Sequence, residues 1–239
     1  ALVVAGDPVT MTGADVGAHA VLVNANDIAV TGVRPRWFLA TILLPEGVNE
    51  ADVRALFAGM RAMLERHDIL LVGGHMEITA SVRQTVVSGH MLGFAPDGAF
   101  LRTADMRAGD VLLQIGAAPV EAAAVLANEV AAAESAVAPE LWRAALGALD
   151  APGISVVEAA LRAVSLGAHA LHDPTEGGLS AGLHEMAEAA GLALQLDADA
   201  VLWFEPGTAL CRALDADPWG ALASGALLAA FPADSAEAA

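Results

Sequence analysis

A turn-rich segment at residues 95–110, APDGAFLRTADMRAGD, divides the chain into two halves. Proline, glycine and aspartate recur in this segment, as they do in connections between folded regions. Each half mixes apolar runs of strand length with stretches of helical periodicity, and 239 residues are enough for two domains. We therefore predict an α+β protein with an N-terminal domain at residues 1–97 and a C-terminal domain at residues 98–239.

The N-terminal half predicts two helices and three strands. Residues 16–31 carry apolar side chains at helical spacing, and RPRWFLATILLP, ended by Pro45, is typical of a buried strand. Asn49 is expected to cap a second helix. The apolar stripe of that helix consists of Val53, Leu56, Phe57, Met60, Met63 and Leu64. ILLVGG predicts a short buried strand that ends in a glycine turn, and RQTVVSGHMLGF predicts another strand.

The C-terminal half alternates between the two kinds of pattern. VLLQIG predicts a strand, followed by alanine-rich helices at about 120–133 and 139–149. Ser155 and Glu158 have the spacing of a capping box for a further helix, which Gly167 can end. LALQLD has the period-two alternation of a strand. A short helix around residues 209–214 and an apolar strand, ALLAAF, complete this half.

Charge excludes several kinds of partner. The formal net charge is -18, and nucleic acids and anionic membranes are bound through lysine and arginine, so we expect neither as a partner. No uninterrupted apolar run approaches the roughly 20 residues that span a bilayer. Cys211 is the single cysteine, which excludes an internal disulfide and fits a reducing compartment, so we expect a cytoplasmic protein. We also expect Cys211 to be a small core side chain and not a nucleophile.

All eleven basic residues are arginines. The absence of lysine excludes a P-loop lysine, a Schiff-base lysine and a lysine general base. A chain of this composition can handle phosphate through backbone N–H groups, through arginine, or through a metal ion held by its acids.

Three polar clusters in the N-terminal half are candidates for a site. Asp7 follows the first apolar run. Asp27, in NANDIA, lies between apolar helical neighbours, where a buried carboxylate needs a metal or an arginine, although a solvated aspartate on the helix surface is an equal alternative. Gly73 and Gly74 allow close approach of the backbone to a ligand, but a tight turn is the commoner explanation. His75 and Glu77, which follow them, are more often structural or surface residues.

The stretch HDPTEGGLSAGLHEMAEAAG, residues 172–191, predicts a helix that starts with two glycines and closes at Gly191. Asp173 or Thr175 could serve as an ordinary N-cap. Gly177 and Gly178, however, weaken a first helical turn by about 1 kcal/mol each relative to alanine. Contact of an anion or ligand with the helix N-terminus would justify that cost, and we favour it over capping alone.

Five segments together resemble the aminoimidazole ribonucleotide (AIR) synthetase superfamily in order and approximate spacing. They are GDPVTMTGADVGAHAVLVNANDIAVTGVRPRWFLATILLP, LVGGHMEITASVRQTVVSGHMLG, RAGDVLLQIG, HDPTEGGLSAGLHEMAEAAG and DPWGALASGALLAAF. The chain most resembles AIR synthase-related proteins that are similar to the hydrogenase maturation carbamoyl dehydratase. The resemblance covers nearly the whole chain.

The resemblance implies a homodimer in which the N-terminal domains form a β-barrel, and a C-terminal α/β sandwich domain. It also implies ATP bound with Mg²⁺, and phosphorylation of an amide, carbonyl or phosphate oxygen of a small-molecule or peptide acceptor. By position in the motifs, Asp7 and Asp27 are the implied metal ligands. The implied nucleotide-binding residues are Asn26, Gly73, Gly74, His75, Asp173, Thr175, Gly177 and Gly178.

The chain departs from the family pattern at two motif positions. Glu176 stands where the hydrogenase maturation proteins usually have arginine, and His75 stands where several members have an acid. The chain starts at Ala1, and we expect it to lack an N-terminal glycine-rich segment and a C-terminal cysteine that the resemblance would include. A catalytically silent, dimeric nucleotide-binding paralogue that acts as a scaffold or regulator is therefore the alternative to an enzyme.

Overall fold

A computed structural model describes residues 1–10, 16–130 and 136–236. The chain forms two compact units. The N-terminal unit comprises Ala1–Ala29 and Val33–Ala99, and the C-terminal unit comprises Val30–Gly32 and Phe100–Ala239. The last residues of the predicted helix at 120–133 lie outside the described residues.

The N-terminal unit is a five-stranded sheet with two helices. Its elements are β1 (Leu2–Ala5), β2 (Pro8–Val9), α1 (Val16–Ala29), β3 (Pro35–Leu44), α2 (Glu50–Arg66), β4 (Leu70–Ile78) and β5 (Val86–Phe94). The strand order is β1-β5-β3-β4, with β2 also paired to β5, and only β3 and β4 run parallel to each other. Neither β1 nor β4 has a second strand beside it in the described part of the unit, so this sheet is open.

Alternation along the central strands decides which face of this sheet is covered. In β3, Phe38, Ala40, Ile42 and Leu44 are buried, whereas the intervening side chains are half-buried. Burial also alternates along β5, where Val87 and Met91 are buried. The α2 helix begins as predicted, because the Asn49 side chain accepts a hydrogen bond from the Asp52 backbone N–H at 2.9 Å. The core therefore lies between the helices and one face of the sheet.

The prediction of a short buried strand ending at the glycine pair is wrong. The strand β4 continues through both glycines to Ile78, and all nine of its residues are exposed. Phe38 pairs with Leu71 but Leu39 pairs with Gly73, so Val72 is an extra residue and the strand bulges there. Gly74 has φ +149°, and a Cβ at this position would overlap the Ala40 carbonyl oxygen. Gly74 therefore serves close packing against β3, and the glycine pair forms no turn.

The C-terminal unit contains a three-stranded sheet and six helices in its described residues. The strands are β6 (Val111–Ile115), β7 (Ala170–His172) and β8 (Leu227–Phe231), in the antiparallel order β6-β8-β7. The helices are α3 (Val120–Glu129), α4 (Pro139–Leu146), α5 (Val157–Ser165), α6 (Gly178–Ala190), α7 (Glu205–Ala213) and α8 (Ala233–Ala236). All five residues of the central strand β8 are buried.

Two predictions in this unit need correction. The N-cap of α5 is Val156 rather than Ser155, and the Val156 side chain makes no capping hydrogen bond, although Gly167 at φ +92° does follow the end of the helix. Residues 192–197, LALQLD, form no strand. Leu192 and Leu194 pack against the core, which explains the alternation, but no strand of the described residues pairs with this segment.

A helix that crosses a bilayer must be both long and apolar. No single helix in the described ranges is long and apolar enough to cross a membrane, and one sharply bent pair, Pro139–Leu146 with Leu149–Ser165, meets the criterion by length and composition alone.

Candidate functional site

A fully buried amide fixes the loop that carries Asp7. The Asn24 side chain of α1 is 0% exposed. Its Oδ1 accepts a hydrogen bond from the Asp7 backbone N–H at 2.9 Å, and its Nδ2 donates to the Asp7 carbonyl oxygen at 3.3 Å. The Gly89 N–H of β5 donates to the same carbonyl at 3.0 Å. The Asp7 backbone is thus held between α1 and β5, while the residue itself is exposed.

Asp27 lies further along the same helix. It is half-buried, whereas its apolar neighbours Ala25 and Ile28 are 0% exposed. Residues three apart on a helix lie on neighbouring positions of one face, so Asp27 follows Asn24 by about one turn. Asn26 is 2% exposed. The structure therefore brings the Asp7 loop onto the helix that carries Asn26 and Asp27.

Gly73, Gly74 and His75 lie within β4. His75 is in register with Thr41 of β3, and Thr41 alternates with the buried residues of that strand, so the His75 side chain lies on the sheet face opposite the helices. The His75 Nε2 is 3.6 Å from a Glu77 carboxylate oxygen, and both side chains are more than half exposed. This imidazole and carboxylate form a solvent-facing pair.

The second group of predicted residues forms a turn in the C-terminal unit, between β7 and α6. The Thr175 hydroxyl donates to the Asp173 carbonyl oxygen at 3.3 Å and accepts from the Ser224 hydroxyl at 3.3 Å. The Thr175 carbonyl oxygen accepts from the backbone N–H groups of Gly178 and Ala223, each at 3.2 Å. The turn is therefore tied both to α6 and to the chain that precedes β8.

The glycine pair is required by the backbone itself. Gly177 is the N-cap of α6 with φ +73°, and Gly178 has φ +63°. A Cβ on Gly178 would overlap the Trp219 carbonyl oxygen and lie 2.6 Å from that of Ala221. The N-cap residue of α6 is Gly177, so the alternative of Asp173 or Thr175 as the ordinary N-cap residue is wrong.

Two further contacts, which sequence patterns did not indicate, clamp this turn onto α6. The His172 Nε2 lies 2.7 Å from a Glu185 carboxylate oxygen. A Cβ on Gly182 would lie 2.6 Å from the Pro174 Cβ, so the proline packs directly on the helix backbone. Asp173 lies between these two contacts and is half-buried, and Glu176 is exposed.

Carboxylate oxygens are the ligands that Mg²⁺ prefers, and Asp7 and Asp27 supply them. In the described part of the chain there is no group of three or more His, Cys, Asp or Glu side chains that could hold a metal ion. A Mg²⁺ ion bound with a nucleotide commonly takes one or two carboxylates from a protein and completes its shell with phosphate and water oxygens.

Both halves of the chain match models of one protein family. Residues 1–95 match the N-terminal domain of AIR synthase related protein, and residues 107–239 match its C-terminal domain. The carbamoyl dehydratase HypE of Rhodobacter capsulatus is 31% identical over 236 residues, which cover 97% of this chain and 66% of that protein. The chain thus spans about two thirds of the length of such relatives.

Solved structures show the same fold. HypE of E. coli superposes with a TM-score of 0.83 at 22% identity, covering 100% of this chain and 73% of that one. A HypE structure in complex with ATP superposes with a TM-score of 0.81 at 21% identity, covering 100% of this chain and 70% of that one.

Proposed function

Since the chain belongs to the AIR synthase related family, we propose that it is an ATP- and Mg²⁺-dependent enzyme of the hydrogenase maturation type. It phosphorylates an amide, carbonyl or phosphate oxygen of a small-molecule or peptide acceptor. The observation that carries this proposal is the match to a carbamoyl dehydratase along 97% of the chain. The ATP complex of a HypE protein of the same fold supports the choice of nucleotide.

Asp7 and Asp27 are the proposed magnesium ligands. Bound Mg²⁺ would neutralise triphosphate charge, which suits a chain that has no lysine for this purpose. The backbone of Asp7 is fixed by Asn24 and Gly89, so its exposed carboxylate projects from a rigid position. A metal ligand held in this way loses little freedom when the ion binds.

Eight further residues are proposed contacts for the nucleotide or the acceptor. In the N-terminal unit these are Asn26, Gly73, Gly74 and His75. In the C-terminal unit they are Asp173, Thr175, Gly177 and Gly178. Helix α6 has a glycine, Gly177, at its N-cap position, and the N-terminus of a helix suits an anionic group.

We further propose a homodimer formed through the N-terminal unit, with the open sheets of two copies closed into a barrel. The strand β4 is an edge strand with large apolar side chains in solvent. Their exposed fractions are 63% for Leu70, 49% for Leu71, 53% for Val72, 46% for Met76 and 65% for Ile78. A long, apolar, exposed edge strand is a template for pairing with another chain.

Turnover of ATP, followed as release of ADP with and without Mg²⁺, tests the enzymatic proposal. We expect slow turnover that requires Mg²⁺ and rises when the correct amide or carbonyl acceptor is added. Binding of ATP without any turnover, across a panel of such acceptors, would instead support a nucleotide-binding scaffold or regulator.

A further inference from the structure

The Asn24 side chain is more strongly constrained than a packing role requires. It makes three hydrogen bonds: two with the Asp7 backbone, at 2.9 and 3.3 Å, and one in which its Nδ2 donates to the Ala20 carbonyl oxygen at 2.9 Å. An amide buried at 0% exposure is tolerated only when its polar atoms are satisfied in this way. An apolar side chain would fill the same position of α1 without this requirement.

Strand β5 has a glycine where it contacts the Asn24 amide. A Cβ on Gly89 would overlap the Asn24 Nδ2 and approach the Phe38 ring to 2.7 Å. A Cβ on Gly6 would lie 2.9 Å from the His90 ring. Two glycines therefore allow α1, β5 and the Asp7 loop to meet around one side chain, which leaves the amide a single position.

The arrangement connects the two acids that the proposed function assigns to magnesium. Asn24 holds the main chain of Asp7, and Asp27 lies about one turn further along the helix to which Asn24 belongs. The distance between the two acidic residues is thereby set by one rigid helix and two hydrogen bonds, and not by a free loop.

We propose that Asn24 is a positioning residue for the magnesium site: it holds Asp7 in place relative to Asp27 so that both carboxylates reach one nucleotide-bound Mg²⁺. This inference rests on the proposed function. Asn24 itself contacts neither metal nor nucleotide. Residues that orient metal ligands typically change metal affinity by about 10- to 100-fold when they are replaced.

A double-mutant cycle separates positioning from general stability. The variants are Asn24→Ala, Asp7→Ala and the double variant, and the dissociation constant of ATP is measured by calorimetry at saturating Mg²⁺ and in EDTA. We expect Asn24→Ala to weaken Mg²⁺-dependent binding about tenfold in the parent chain. In the Asp7→Ala background the same change has no further effect, because the carboxylate that Asn24 positions is already gone.

Thermal unfolding of the same proteins provides the second readout. Asn24 bonds the main chain of Asp7, which the Asp7→Ala variant retains, so Asn24→Ala should lower the Tm by several degrees in both backgrounds. An equal loss of ATP affinity in both backgrounds would show that Asn24 acts only through stability and would overturn the proposal. If Asn24→Ala does not fold, the same cycle is measured with Asn24→Thr, which replaces the amide with a hydroxyl. The same two outcomes then support or overturn the proposal.

The cycle also distinguishes failure of this inference from failure of the proposed function. If the parent chain binds ATP with Mg²⁺ and the Asn24 effect is independent of Asp7, the positioning role is wrong and the function stands. If the parent chain shows no Mg²⁺-dependent binding, the proposed function is wrong, and the positioning role falls with it.

Discussion

Burial limits the chemistry available to Cys211. The side chain is 0% exposed on α7, and burial raises the pKa of its thiol, with the nearby Asp217 carboxylate acting in the same direction. A thiol becomes nucleophilic as the thiolate, so a raised pKa makes this cysteine less reactive at neutral pH. The structure thus supports the expectation that Cys211 is a small core side chain.

We expect Cys211→Ala to leave ATP turnover within about twofold of the parent, because the removed sulfur packs and does not react. Deletion of a buried group lowers stability, so the Tm should fall slightly. Turnover and Tm are measured on the same preparation. A loss of turnover greater than tenfold in a folded variant would show that the thiol takes part in the chemistry.

At single residues, sequence reasoning identified side chains but not their support. Asp27 is a candidate because an acid between apolar helical neighbours needs a partner. The metal role of both Asp7 and Asp27 is what their positions in the family motifs imply. Asn24 stood in the same cluster, yet its partner Asp7 is 17 residues away and its space comes from Gly89 on another strand. No local pattern indicates such a junction. The available signal was an amide one helical turn before Asp27 in a largely apolar helix.

At the scale of elements, α6 has a glycine with a left-handed backbone at each end. Gly178 begins the helix with φ +63°, and Gly191 is its C-cap with φ +65°. They differ in surroundings, because a Cβ on Gly178 would overlap a backbone carbonyl whereas nothing lies within 4 Å of a Cβ on Gly191. Substituting each of these two glycines therefore separates the free-energy cost of a left-handed backbone from the free-energy cost of a steric overlap.

We expect Gly191→Ala to lower the free energy of unfolding by about 1 kcal/mol, the strain of a left-handed alanine. Gly178→Ala should cost about 3 kcal/mol or more, because the chain at residues 219–221 must also move. Chemical denaturation of both variants measures the difference. Equal costs would mean that the contact between α6 and this chain segment is not tight in solution.

Element predictions succeeded where the local pattern and the environment agree. Helix α2 and strands β3 and β5 follow from periodicity, because one face of each is buried in the core of the N-terminal unit. Helix α1 also forms where its apolar spacing predicts it. Strand β8 follows from its continuous apolar run, and all five of its residues are buried in the C-terminal unit. The segment at 192–197 has the alternation of a strand but pairs with no strand of the described residues, because periodicity indicates only which side chains are buried. In β4, a glycine pair suits a turn or a bulge equally well, and the packing of Gly74 on Ala40 decides between them.

At the scale of the whole molecule, the proposed dimer depends on the exposed edge of the N-terminal sheet. We expect the parent chain to be a dimer by light scattering at micromolar concentration. Ile78→Lys places a charge on the edge strand β4 and should raise the dimer dissociation constant at least about tenfold. Leu146→Lys is the matched control, since Leu146 is 42% exposed on α4 of the other unit and should leave the dimer unchanged.

A parent chain that is monomeric under these conditions would contradict the dimer. If Ile78→Lys has the same dimer dissociation constant as the Leu146→Lys control, the dimer interface does not include β4. The same samples are checked by circular dichroism, so that a loss of dimer is not confused with a loss of fold.

Calorimetric titration of ATP into the parent chain and into Asp27→Asn, each with Mg²⁺ and with EDTA, tests the central claim most directly. Asparagine keeps the size of the side chain and removes its charge, so the fold should be retained while the proposed metal ligand is lost. We expect the parent chain to bind ATP only with Mg²⁺, and Asp27→Asn to bind it at least about tenfold more weakly. An affinity and a Mg²⁺ dependence unchanged in Asp27→Asn would contradict the assignment of Asp27 to the metal, and a parent chain that does not bind ATP would contradict the proposed function.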